Sequence, residues 1–357
     1  MSTSMVKGNP LKLMLHFALP LLIGNLLQQT YNIIDAASVG QILGAKALAS
    51  VGASSSVQFL VLGFCMGSCT GFGVPVAKYF GGNNLEKMRD YIFNGAVLVG
   101  IIAAVVTTIC AVFCPQILHL LSVPEDIFEG AYAYLIIIFL GIPFTLMYNY
   151  LSGILRSVGD SRTPFMFLAF SACLNIFLDL FCIVVLKWGC AGAAIATILS
   201  QAISGSLCLV FIIRKMDLLW LKKSNRVVKG SVVKELLLMG IPTGLQFSIT
   251  AIGTIIVQGA VNVYGENYMA GFSAAGKLQN IVATVYVAFG ATIATYVGQN
   301  WGAGKKERVL MGVNCTQIMI LIYSVFAMAL VFFFSKYMTL LFVSASETEV
   351  IDVAVLY

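Results

Sequence analysis

Nine stretches of this chain are long and almost free of charge. They cover residues 13–37, 54–80, 91–114, 130–153, 163–186, 190–214, 236–262, 268–298 and 309–335. Each meets the length of about 20 apolar residues that a membrane-spanning helix needs. A tenth begins near Val350. The runs are continuously apolar rather than alternating, which favours helices over a barrel. Several exceed the bilayer thickness and are expected to tilt or protrude. Of the 357 residues, 59% are hydrophobic and 10% charged. A soluble domain carries about a quarter charged residues, so an all-α polytopic membrane protein is expected. The net charge of +6 does not point to nucleic acid, because the basic residues sit in short loops where they set topology.

Those loops orient the chain. With the amino terminus in the cytoplasm, the cytoplasmic segments hold 17 of the 21 lysines and arginines. Lys46, Lys187 and Lys336 fall outside, and Lys277 falls within a span. That bias fits the positive-inside rule. The longest polar stretch, Arg214 to Glu235, reads as a linker after six helices. Its apolar part, Leu218-Leu219-Trp220-Leu221, is expected on the inner membrane surface.

The segments flanking the linker repeat. Leu19-Pro20 matches Ile241-Pro242, and Gly44-Ala-Lys-Ala-Leu-Ala matches Gly265-Glu-Asn-Tyr-Met-Ala. Lys78-Tyr-Phe-Gly-Gly-Asn-Asn-Leu-Glu-Lys matches Gln299-Asn-Trp-Gly-Ala-Gly-Lys-Lys-Glu-Arg. The offset stays at 221–222 residues, as an internal repeat requires. Six helices per repeat is even, so both repeats cross the membrane in the same sense, about an axis along its normal. The expected organisation is an amino-terminal lobe over 1–214, a cytoplasmic linker over 215–235, and a partial carboxy-terminal lobe over 236–357. Doubling the offset gives an expected parent of roughly 440–460 residues.

Nine cysteines lie scattered, mostly inside apolar runs, without zinc-finger spacing or a disulfide framework. Two histidines, His16 and His119, cannot build a histidine-rich metal site. Charge inside a span is costly and usually functional, which singles out Asp35, Asp179 and Lys277. Gln28, Tyr31, Asn32 and Asp35 recur at three- and four-residue spacing, one face of the first helix. Asn175 and Asp179 share a face of the fifth. Thr197 follows on the sixth, after a run of small residues (Ala191-Gly192-Ala193-Ala194) that permits close packing. Two carboxylates, an amide and a hydroxyl are what a proton or a small hard cation needs, and the same oxygens serve sodium. Lys277 reads as a charge that repels cationic substrate from one lobe, as the partner of a carboxylate further along the parent chain, or as a packed or snorkelling lysine near a helix end. Pro20 and Pro242 each remove a helix hydrogen bond. They imply either a static kink or one that changes when Asp35 is neutralised.

These residues resemble the MATE (multidrug and toxic compound extrusion) family, in its prokaryotic DinF-like branch, over the whole chain from Leu11. The resemblance rests on Leu19-Pro…Gln29-Thr-Tyr-Asn-Ile-Ile-Asp35…Val39-Gly, on Leu155-Arg-Ser-Val-Gly-Asp-Ser-Arg-Thr-Pro164, on Asn175-xxx-Asp179 and on the glycine-rich ends of helices 2 and 8. It implies a twelve-helix exporter of two six-helix lobes forming a V, which expels amphipathic organic cations against H+ or Na+. The branch's cation site carries over to Asp35, Asn175, Asp179 and Thr197. Asn149 matches a nearby polar position, Ser152 stands where the branch has a second asparagine, and Pro20 matches the bending proline. The position equivalent to Asp35 in the second repeat lies near Val257, so coupling is expected in the amino-terminal lobe. Expected partners are the bilayer and small organic cations, with no cofactor beyond H+ or Na+, no nucleic acid and a monomeric chain. The expected location is the inner membrane of a prokaryote.

Two other readings compete. A lipid-linked-sugar flippase would need several basic residues for its pyrophosphate, and Lys277 is the sole candidate. An intramembrane aspartyl protease would need a Gly-x-Gly-Asp context, whereas Asp179 follows Ile-Phe-Leu.

Overall fold

The computed structural model describes residues 4–121, 123–340 and 347–356. The last residues of the expected carboxy-terminal lobe, 341–346 and 357, lie outside that range. Among the described residues, twelve α-helices follow in order: α1 (Pro10–Leu43), α2 (Ala45–Gly81), α3 (Leu85–Val112), α4 (Cys114–Leu120), α5 (Glu125–Leu140) and α6 (Ile142–Ser157). Then come α7 (Arg162–Leu180), α8 (Gly189–Lys215), α9 (Gly230–Asn262), α10 (Glu266–Gly302), α11 (Lys306–Thr339) and α12 (Thr348–Leu356). Among the described residues, eight helices are long and apolar enough to cross a bilayer, and α5 with α6, bent by 45° where they join, makes a ninth if the pair counts as one span.

That bend falls within the span expected over 130–153. Pro143 enters α6 within its first two residues. It cannot donate to the Phe139 carbonyl, and its ring crowds the preceding turn. Gly141 at the break lets Ile198 of α8 approach where a Cβ would stand. Pro20 has a milder effect, because α1 runs through it as one helix.

The repeat is visible in the backbone. α2 and α10 are each 37 residues long. Gly44 enters α2 at φ 89°, ψ 177°, and Gly265 enters α10 at φ 98°, ψ 179°, a conformation that suits glycine. Beyond α2 the chain turns through Asn83 (φ 56°) into Asn84 (φ −95°, ψ 76°). Beyond α10 it turns through Gly304 (φ 72°) into Lys305 (φ −92°, ψ 68°).

The ends of α2 and α10 with the starts of α3, α7, α9 and α11 form one end of the molecule, which also carries most of the cations. There the two sets of helices meet. α2 against α9 is the most extensive helix pair, and its seam is made of glycines. A Cβ on Gly67 would stand 2.7 Å from the Thr243 carbonyl oxygen, and one on Gly71 2.6 Å from that of Met239. Farther along α2 and α9, Gly52, Gly253 and Gly259 have nothing within 4 Å of a Cβ.

The linker departs from expectation in place and length. α9 already begins at Gly230, so the non-helical connection spans 216–229, with 3-10 turns at Asp217–Leu219 and Lys223–Asn225. Leu219 does not rest on the outside of the bundle but is buried against the main core. Arg89 Nε donates to the Leu218 carbonyl at 3.2 Å. The buried Asp90 carboxylate accepts from Asn225 Nδ2 at 2.9 Å and Lys229 Nζ at 2.6 Å. Only Trp220 of the apolar group stays well exposed.

Candidate functional site

The two intramembrane aspartates come together. Asp35 of α1 and Asp179 of α7 place their carboxyl groups within hydrogen-bonding reach of each other. One oxygen of each, Asp35 Oδ1 and Asp179 Oδ1, is enclosed and receives no donor. A buried acceptor without a partner is costly, and here the shortfall is of positive charge or donated protons. Asp179 is 1% exposed.

Local sequence explains the placement. Asn175 and Asp179 stack one turn apart on α7, and α7 lies close to α8 through small residues. Ser171 Oγ donates to the Ser200 carbonyl at 3.0 Å, and Ser204 Oγ to that of Phe167 at 3.2 Å. Oriented as its neighbours require, the Asn175 amide donates to Asp179 Oδ2 at 3.3 Å and accepts from the Thr197 N–H at 3.3 Å. Directly after Asp179 and Leu180 the helix widens into a π-turn, Phe181–Val185. Such turns often accompany functional sites. Val39, one turn beyond Asp35, packs with Tyr134, Ile138 and Ala193, which closes the site between α1, α5 and α8.

The structure sorts the other expected residues. Tyr31 lies beside both carboxyls, with Gln28 and Gln201 in reach of its hydroxyl. Asn32 turns outward and is exposed, its amide donating to Gln29 Oε1 at 3.4 Å. Asn149 engages its own helix, donating to the Thr145 carbonyl at 2.8 Å. Lys277 is exposed on α10 and so belongs to the other half of the chain. Pro20 lies fifteen residues before Asp35, about 22 Å along the helix.

Three residues join the site that spacing did not single out. Tyr134 of α5 is buried near Asp35 and Asp179, with Gln58 of α2 in reach of its hydroxyl. Gln201 follows Thr197 by one turn of α8, and its Oε1 is another enclosed acceptor without a donor. The four-residue step from Thr197 to Gln201 was the available signal.

Among the described residues no group of three or more His, Cys, Asp or Glu side chains gathers to hold a metal ion. The oxygens of Asp35, Asp179, Asn175 and Thr197 nonetheless form a hard donor set of the kind that takes a proton or an alkali cation.

The MatE family model matches residues 20–181 and 242–357. A probable multidrug resistance protein of Bacillus subtilis, YpnP, is 32% identical over 341 residues, covering 96% of this chain and 76% of the relative. An FAD transporter of Shewanella oneidensis is 22% identical over 345 residues, covering 96% and 76%. A solved multidrug resistance MATE family transporter of the MOP superfamily, in an outward-facing conformation, superposes with a TM-score of 0.92 at 21% identity, covering 99% of this chain and 78% of that one. With the helical fold, the repeat and these matches together, the chain belongs to the MatE family of membrane multidrug transporters and is not an enzyme.

Proposed function

We propose that the protein is a secondary active exporter that exchanges amphipathic organic cations for H+ or Na+ at Asp35 and Asp179. The observation that carries this reading is the pair of facing, enclosed carboxyl groups whose Oδ1 atoms lack donors. Both partners of the exchange are cations and both are served by the same negative charge. A coupling ion arriving from outside occupies the pair and lowers the lobe's affinity for an organic cation, which leaves. Release of the ion on the other side restores the negative charge. Such competition is a coupling free energy between two ligands. Asn175 and Thr197 orient Asp179, and Tyr31 and Tyr134 wall the pair off.

The same acidic character opposes an anionic cargo such as the flavin dinucleotide handled by the Shewanella relative, and a pyrophosphate carrier. The basic end, where the α2–α9 seam is closed, is assigned to the cytoplasm on charge bias. The protein is placed in the plasma membrane of a prokaryote and acts as a single chain.

The test uses energised membrane vesicles and a fluorescent organic cation, with proton and sodium gradients imposed separately. Gradient-driven efflux by the wild type that vanishes in Asp179→Asn supports the reading and names the ion. Equal efflux in both would remove Asp179 from the mechanism. Absent efflux in the wild type would leave the flippase as the reading to test.

A further inference from the structure

The segment before α1 is tied to the turn between α10 and α11. The Met5 N–H donates to Gln299 Oε1 at 2.8 Å, and the Met5 carbonyl accepts from Asn300 Nδ2 at 3.2 Å and Arg308 Nη2 at 3.3 Å. Lys305 Nζ donates to the Val6 carbonyl at 3.0 Å, and Arg308 Nη1 to that of Gly8 at 2.9 Å. Arg308 Nε is itself held by Asn300 Oδ1 at 3.0 Å. Met5 is 2% exposed, and Gln299 and Asn300 are fully buried. Five bonds, three of them from charged donors, therefore fasten a short strap to α10 and α11. Charge-assisted bonds of this kind are roughly twice as strong as neutral ones.

The basic-end third of α1 follows the strap. Thr316 Oγ1 of α11 donates to Met14 Sδ at 3.5 Å. Phe17 and Leu21 cluster with Ala288, Tyr296 and Met319 of α10 and α11. Past Leu22 the allegiance changes. Gly24 faces Leu168 and Phe165 of α7, and Val39 packs on Tyr134 and Ala193. The two sides also differ in how tightly they hold. A cavity of about 300 Å³ separates Met5, Leu13 and His16 from the loop Gly159–Thr163, crossed by the His16–Arg162 contact at 2.9 Å. α1 is thus shared: its start is fastened to the carboxy-terminal helices and its Asp35 turn to the amino-terminal ones.

We propose that Arg308, seated by Asn300, is a positioning residue for transport. It fastens Met5–Gly8, and with it the start of α1, to α10 and α11. Relative movement of the two halves is thereby delivered along α1 to the turn that carries Asp35. The boundary between the moving bodies runs through α1, beside the Gly159–Thr163 cavity, and not in front of it. This inference rests on the coupling role given to Asp35 above.

The experiment compares wild type, Arg308→Gln and Arg308→Lys, each reconstituted in proteoliposomes. Three quantities are read: deuterium uptake of the peptide covering residues 5–13, equilibrium binding of the fluorescent organic cation, and its gradient-driven export. Arg308→Gln should speed uptake at the strap about tenfold and slow export about tenfold, with binding unchanged. Lysine cannot reproduce three donors in a planar fork, so Arg308→Lys should fall near the glutamine variant. In the wild type the strap should stay protected during turnover, because it travels with α10 and α11. Strap exchange that rises during wild-type turnover would overturn the shared-helix reading. So would full export by Arg308→Gln, or binding that falls in step with export. If the wild type exports nothing under either gradient, the Asp35 reading fails and this one with it, whereas the protection result alone then reports a static anchor.

Discussion

Helices α1–α3 and α9–α11 follow the same backbone plan and carry different chemistry. Both first helices hold a proline, Pro20 or Pro242, and both second helices are entered through a left-handed glycine. Yet α1 carries Asp35 facing Asp179, whereas the corresponding stretch of α9 shows an exposed Val257. Thr250 and Thr254 beside it only bond carbonyls of their own helix, Gln246 and Thr250. Glycines and prolines, which act through the backbone, set the path twice. Single side chains set the chemistry once. A repeat can thus keep its geometry while only one of its two first helices carries an aspartate.

The largest effect should come from moving that charge. Asp35→Asn is expected to cut gradient-driven export about a hundredfold, the upper range of coupling between two ligands. Adding Val257→Asp to that variant should restore nothing. An aspartate there would stand on the path of α9 without an Asp179, an Asn175 or a Thr197 to receive it. Vesicle efflux of the three proteins decides the matter, and recovery in the double variant would mean that position along the repeat matters more than partners.

A second effect concerns the seam. Gly71 of α2 faces the Met239 carbonyl so closely that a Cβ would sit 2.6 Å from it, and backbone cannot step aside. Gly290, on the equivalent helix α10, has open space around it. Gly71→Ala should cost about 1–3 kcal/mol through overpacking. Gly290→Ala should stabilise by up to about 1 kcal/mol through helix propensity. Thermal unfolding in detergent compares them, and equal midpoints would show that α2 and α9 slide apart without penalty.

Much of this was legible in the chain. The spans follow from apolar length, because backbone in lipid must form a helix or a closed barrel, and continuously apolar runs of this length select the helix. Asn175, Asp179 and Thr197 were legible because they stand alone as polar residues at helical spacing. Tyr134 and Gln58 were not, since each is a lone polar residue whose meaning depends on how its helix is rotated about its neighbours; Gln201 had a signal in its four-residue step from Thr197. The same rotation turns Asn32 outward although spacing puts it beside Asp35, and turns Asn149 onto Thr145. The bend at Gly141 had a signal in Pro143, outweighed by the length of the apolar run. The strap had almost none. Its bonds come from its own main chain, and only the side chains that meet it, Gln299, Asn300, Lys305 and Arg308, differ from generic loop chemistry.

The smallest effect tests the two matching turns. Asn84 caps α3, its Oδ1 accepting the Lys87 N–H at 3.0 Å. Lys305 holds nearly the same φ and ψ before α11 and makes no side-chain cap. Its amine reaches the Val6 carbonyl instead. Asn84→Lys removes a cap and should cost about 1 kcal/mol. Lys305→Asn adds a cap of about that size and loses one bond from a charged donor, worth about 1.5–3 kcal/mol in the interior and less at this partly exposed site. The two terms nearly offset, so Lys305→Asn should change stability by less than Asn84→Lys does. Unfolding midpoints of the two variants read the difference directly. If Lys305→Asn is the more costly, the strap bond outweighs a helix cap, and the second turn has been given over to holding α1 rather than to starting α11.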